Sequence, residues 1–168
     1  KGIQPQVAVD AKGNVHLIYY TGDPRGGNLM YTRRGAGQKD FSAPIRVNSH
    51  DASAIAVGTI RGGQIAVGKN GRVHVAWNGS MKAEPKNPIG GHPMLYARLA
   101  DDGKTFESQR NLMTTTYVLD GGGTLAADRD GNVAVAWHAL GKDSPKGEDN
   151  RKVWVARSSD DGKTFGPE

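Results

Sequence analysis

Apolar and polar residues alternate along this chain in short runs, and the runs recur. The segments QVAVDAKGNVHLIYY (6–20), QIAVGKNGRVHVAWN (64–78) and TLAADRDGNVAVAWH (124–138) align without gaps. Each alternates with a period of two, breaks at a glycine-containing turn and alternates again. That pattern predicts a strand, a tight turn and a second strand. The turn glycines are Gly13, Gly71 and Gly131, about sixty residues apart. A polar loop rich in Gly and Pro follows each hairpin: TGDPRGG, GSMKAEPKNPIGGHP and ALGKDSPKGEDNR. A third alternating run comes next: LMYTRR (29–34), MLYARL (94–99) and VWVARS (153–158). A fourth, such as APIRVN (43–48), completes the unit. No segment carries a 3.6-residue period, so the chain is assigned to the all-β class.

Four antiparallel strands written three times predict three four-stranded blades of a β-propeller. The expected boundaries are 4–48, 61–113 and 121–168, the last incomplete, within one partial propeller domain over 1–168. A twisted four-stranded sheet cannot bury both faces alone, and three stacked blades still leave two faces open. Propellers typically close with about four to eight blades. The remaining blades are therefore expected from a longer parent chain or from self-association, within a six-bladed ring. The fragment reading is favoured, because the chain starts at Lys1 before a first strand and ends at Glu168 just past a turn.

The third run leads into LADDGKTF (99–106) in the second unit and SSDDGKTF (158–165) in the third. In the first, RGAGQKDF (34–41) keeps the length and the closing Phe41. Short Asp, Ser and Thr side chains can bond the amides of such a turn. Glycine can take the positive φ it needs, and the aromatic ring can pack beneath it. Ser158, Asp160, Gly162, Thr164 and Phe165 fit the pattern S-x-D-x-G-x-T-F. This resembles the Asp-box, or BNR repeat, of sialidases and related propellers. In the second unit Asp101, Gly103, Thr105 and Phe106 match, while Leu99 replaces the Ser. The resemblance implies that these boxes are structural, join the third and fourth strands, and lie away from the active face. A metal or catalytic role for Asp101 or Asp160 is the weaker reading. DRDGN (128–132) has the outline of a calcium loop but lacks its other ligands, so a hairpin turn explains it better. No metal site and no cofactor is expected.

With the boxes at one end, the hairpin turns (10–14, 68–72, 128–132) share that end. The opposite end collects the long loops, where function concentrates. Its candidates are Tyr20, Arg25, Asp51, Arg61, Asn78, Lys82, Glu84, His92, Tyr117, Asp120 and His138. Trp77 and Trp137 fall at matching strand ends and read as packing between blades. Asn78–Gly79–Ser80 is a formal glycosylation sequon.

Sialidases carry a Phe/Tyr-Arg-Ile-Pro segment at their first blade. Here TIRGGQIAVGKNG (59–71) sets Arg61 about ten residues before Gly71, with Gly62–Gly63 in place of Ile-Pro. The resemblance implies that Arg61 binds a substrate carboxylate, for which a guanidinium offers a planar, permanently charged fork. It implies an acid/base Asp, for which Asp120 in TYVLDGGG (116–123) is the candidate and Asp51 in NSHDASA the competitor. Asn78 and His138 are further substrate-binding candidates. The Tyr nucleophile and Glu partner of that family match no segment here; Tyr117 and Glu84 share only the face, and Arg25 and Arg151 are only loop residues.

Composition narrows the partners. The 168 residues carry 22 basic and 17 acidic side chains, a net charge of +5. That balance could favour an anionic ligand, although an ordinary mixed surface explains it as well. A basic stripe interleaved with aromatics is missing, which argues against nucleic acid. The absence of cysteine excludes disulfides and thiolate metal sites. No apolar run is long enough to span a bilayer as a helix. The expected function is a sialidase-like glycoside hydrolase of the exo-α-sialidase type, acting on terminal acidic sugars of glycans. The alternative is a non-catalytic BNR-repeat propeller that binds glycan or protein. The family resemblance implies an extracytoplasmic location, secreted or periplasmic.

Overall fold

The computed structural model describes residues 2–58 and 62–168. Among them there is no α-helix, only two single turns of 3-10 helix and eleven strands. The first sheet runs in order β1 (Ile3–Val9), β2 (Val15–Asp23), β3 (Gly26–Arg34) and β4 (Ile45–Arg46). The second repeats it with β5 (Gln64–Val67), β6 (Val73–Asn78), β7 (Met94–Arg98) and β8 (Arg110–Asn111). The third holds β9 (Thr116–Ala127), β10 (Val133–Gly141) and β11 (Lys152–Ser158), three strands where a complete unit would have four. All neighbours pair antiparallel.

The first turn of each sheet shows how local chemistry sets the register. Asp10 accepts hydrogen bonds from the amides of Lys12 and Asn14 and from the Asn14 side chain. Asp128 does the same with Asp130 and Asn132. The middle turn has Gly68 and Arg72 at those two positions, and it closes instead through Asn70 and Gly71, both at positive φ.

Strand alternation then decides which face meets which sheet. Val73, Val75 and Trp77 of β6 join Ile18, Tyr20 and Leu29 in a core between the first and second sheets. Ala76 of β6 points the other way, into a second core with Val133, Val135 and Trp137. With both faces covered, every residue of β6 and β7 is buried. The outer sheets keep one open face each, where Val7, Val9 and Val153 are exposed. The strands β1, β5 and β9 lie side by side along one edge of the stack. Gly63 and Gly123, one residue ahead of the aligned segments at 64 and 124, each pack against the preceding sheet. A Cβ on Gly63 would meet Ile18 and Leu29 at 2.9 Å, and one on Gly123 would meet Met94 at 2.5 Å. These glycines are there for close approach between sheets.

Candidate functional site

The end of the stack opposite the hairpin turns gathers three of the sequence candidates. Asp120 lies in β9 directly across the ladder from His138 of β10. Asn78, at the end of β6 and only 1% exposed, donates from Nδ2 to the Gly121 carbonyl at 2.5 Å. It thereby ties the second sheet to the Asp120 segment of the third. The buried Asn78 Oδ1 accepts from no group among the described residues. A side chain so placed is no glycosylation acceptor in this fold, whatever the sequon suggests.

The residue that sequence reading passed over is Arg151, just before β11. Its Nη1 reaches Asp120 Oδ2 at 2.6 Å and Glu148 Oε2 at 2.5 Å. The guanidinium is mostly buried, and its Nε has no acceptor among the described residues. A buried, incompletely bonded guanidinium beside a carboxylate and a histidine is a place where an anionic or hydroxyl-rich ligand finds donors and an acceptor together. The signal was available in "EDNR", an Arg three residues after a Glu. Nothing in the sequence, however, pointed that Arg at Asp120. Arg61 lies outside the described residues.

The other candidates serve their own loops. Tyr20 donates to the Asp23 carbonyl, within the first sheet's loop. Asp51 is exposed, accepts from Asn28 at 2.9 Å and lies 3.4 Å from Arg46. Glu84 pairs with Lys86, and His92 Nδ1 lies 2.8 Å from the Gly79 carbonyl. Lys82 bonds Ser80 Oγ through its backbone amide, and Tyr117 is a ladder partner of Leu140. Arg25 forms no ion pair among the described residues, and its amide donates to Asp23 Oδ1 at 2.8 Å.

At the opposite end, the third-sheet turn is built around Ser158 and Asp160. Ser158 Oγ accepts from the Gly162 amide at 2.9 Å and donates to Asp160 Oδ1 at 2.6 Å. Asp160 accepts from the Thr164 amide and hydroxyl at 2.9 and 2.6 Å. The Ser158 and Thr164 hydrogen bonds hold its carboxyl well below the usual range. The second-sheet turn departs from expectation. Asp102, not Asp101, accepts from the Lys104 and Thr105 amides and the Thr105 hydroxyl. Asp101 swings out to Arg72. The reason is Leu99: without the Ser hydroxyl, the first Asp has no partner under the turn. Gly103 and Gly162 both take positive φ. Phe106 and Phe165 sit edge-on to Tyr31 and Tyr96 of the preceding sheet, at 5.5 and 4.8 Å between ring centroids. Phe41 has no preceding sheet, is 42% exposed, and lies under the Arg34 guanidinium instead. No group of metal-binding side chains occurs among the described residues.

No family model matches the chain, and no curated protein does. Solved structures do. A protein of unknown function from Dyadobacter fermentans superposes with a TM-score of 0.59 at 17% identity, covering 99% of this chain and 50% of its own. The α-L-arabinofuranosidase PaAbf62A from Podospora anserina, in complex with cellotriose, gives 0.50 at 9% identity over 92% of this chain and 52% of its own. A PL25 ulvan lyase gives 0.47 at 14% identity, over 92% and 38%. The chain thus spans about half the length of the first two. At such identities the likeness is one of fold alone: this chain is similar to part of an all-β, propeller-type domain of the kind found in carbohydrate-active enzymes.

Proposed function

We propose that this chain contributes to a carbohydrate-active propeller whose glycan site is the Arg151–Asp120–His138–Asn78 group. The observation that carries the reading is the Arg151–Asp120 pair at 2.6 Å, directly across the ladder from His138. In its sharper form, the protein is a sialidase-like hydrolase of terminal acidic sugars. The substrate carboxylate would compete with Asp120 for the Arg151 fork. Released from Arg151, Asp120 would carry the proton for the leaving oxygen. Arg61 is retained as a second carboxylate ligand. Further sheets, from a longer chain or a second copy, would cover the faces that expose Val7, Val9 and Val153. A location outside the cytoplasm goes with this reading. The second reading is a non-catalytic propeller binding glycan or protein. It is favoured by the lack of a Tyr–Glu nucleophile pair in the group among the described residues.

The test is fluorophore release from aryl sialosides and neutral aryl glycosides by the purified protein, beside Asp120→Asn and Arg151→Ala. Turnover of the acidic glycoside that falls about a hundredfold or more in Asp120→Asn supports the hydrolase. Binding to immobilised acidic glycans without turnover, weakened in Arg151→Ala, supports the binding module. Neither activity in the folded protein removes both readings.

A further inference from the structure

The far end of the stack holds a second feature, built by the repeat itself. Because β1, β5 and β9 lie side by side, their three hairpin turns surround one cleft of about 690 Å³. Lys12 enters it from the first turn and Arg129 from the third, and Arg33 lines it from β3. Lys69 of the second turn lines an adjoining hollow that shares Arg33. The one carboxylate in the cleft is Asp10, and it is already committed. It bonds the Lys12 and Asn14 amides and the Asn14 side chain, and it lies 3.4 Å from His16 Nε2. Burial alone would raise Asp10, but the bonds from Asn14, His16 and Lys12 hold it down at about 2. His16 is pushed below its ordinary value, chiefly by burial, and adds no positive charge at neutral pH.

Arg46, Arg72, Arg98, Arg110 and Arg151 each pair with a carboxylate. Among the described residues Arg33, Arg129, Lys12 and Lys69 do not. What sets the cleft apart is the gathering of several such cations around one hollow, since single cations without an ion pair, such as Arg25 and Arg157, also occur elsewhere among the described residues. Cations of one sign gathered in a concave site focus their field on its interior. No Phe, Tyr or Trp lines the cleft, and its one ring, His16, is buried and stacked on Tyr31, so base stacking is not what it offers.

We propose that this cleft binds a compact, doubly charged oxyanion, a sulfate or phosphate ester group. The Arg33 and Arg129 guanidiniums would act as forks and Lys12 as a point charge. The site stands apart from the proposed glycan group and does not depend on it. The experiment is thermal unfolding and calorimetric titration of the protein with glucose 6-sulfate and with glucose 6-phosphate, at ionic strength matched by sodium chloride. Saturable binding is expected. It should weaken about tenfold in Arg33→Gln and in Arg129→Gln, and vanish in the double variant. Arg157→Gln, an exposed arginine outside the cleft, should bind like the wild type. The two arms decide which ester is preferred. Equal binding by the double variant and the wild type, or a response that chloride reproduces, overturns the proposal.

Discussion

The same hexapeptide, DDGKTF, folds in two ways within one molecule. At 160–165 the first Asp caps the turn and the second, Asp161, turns inward. At 101–106 the second Asp caps and the first, Asp101, turns outward, 89% exposed. Asp161 sits in the opposite environment, 16% exposed, between sheets. Its carboxylate accepts from Arg72 Nε at 3.1 Å and lies 3.5 Å from both Arg98 and His74. Arg98, 6% exposed, also donates to the Asp161 carbonyl at 2.8 Å and pairs with Glu107. One residue upstream makes the difference. Ser158 holds the first Asp under the turn, leaving the second free to reach the preceding sheet, whereas Leu99 spends its side chain in the core. A local motif therefore becomes either a cap alone or a cap plus a bolt between sheets.

The largest test of that contrast removes the bolt. Asp161→Ala leaves two largely buried guanidiniums short of a partner and is expected to cost about 3–5 kcal/mol, measured by urea unfolding. Removing Asp101, whose carboxylate lies in solvent and whose partner Arg72 keeps Asp161, should cost far less in the same assay. Next comes the ring that locks each turn to the sheet before it. Phe165→Ala takes away the edge-on contact with Tyr96 and part of the second core, and should cost about 3 kcal/mol. Phe41→Ala, at the open face, should cost far less in the same assay.

The buried histidine beside the bolt gives the third test. Tyr96 Oη lies 2.6 Å from His74 Nδ1, Asp161 Oδ1 faces its Nε2, and Arg72 and Arg98 stand close by. Burial pushes His74 from its ordinary value near 6.5 down to about 4, against the pull of Asp161. The unfolded chain therefore binds the proton more readily than the folded one. Stability is full above about pH 6.5 and is lost as pH falls toward 4, by about 3 kcal/mol in all. His74→Gln should flatten this part of the pH–stability curve. A slope that survives the substitution would assign it to other groups.

A smaller effect than that of these core changes is expected from the residue that creates the asymmetry. Ser158→Ala removes the acceptor for the Gly162 amide and should cost about 1–2 kcal/mol. Hydrogen exchange at Gly162 should rise with it. Unchanged protection there would mean that the backbone alone, not the hydroxyl, holds Asp160 in place.

The sequence carried the strands, the hairpins, the order of the sheets and the position of each turn, because these follow from period-two alternation and from turn residues acting on their neighbours. Asp10 with Asn14, and Asp128 with Asn132, are legible that way: four residues separate the partners. The same reading put Asp120, His138 and Asn78 at one end, since strand direction alone places them there. It could not tell Asp101 from Asp161, or find Arg151. Arg72 and Asp161 are 89 residues apart, and Arg151 and Asp120 are 31 apart. Such pairs meet only when sheets stack or a loop folds back over a strand. Repeated local chemistry shaped each sheet and, through Ser158 or Leu99, chose which aspartate caps each turn; packing between sheets decided that the second aspartate of the third sheet meets Arg72 and Arg98.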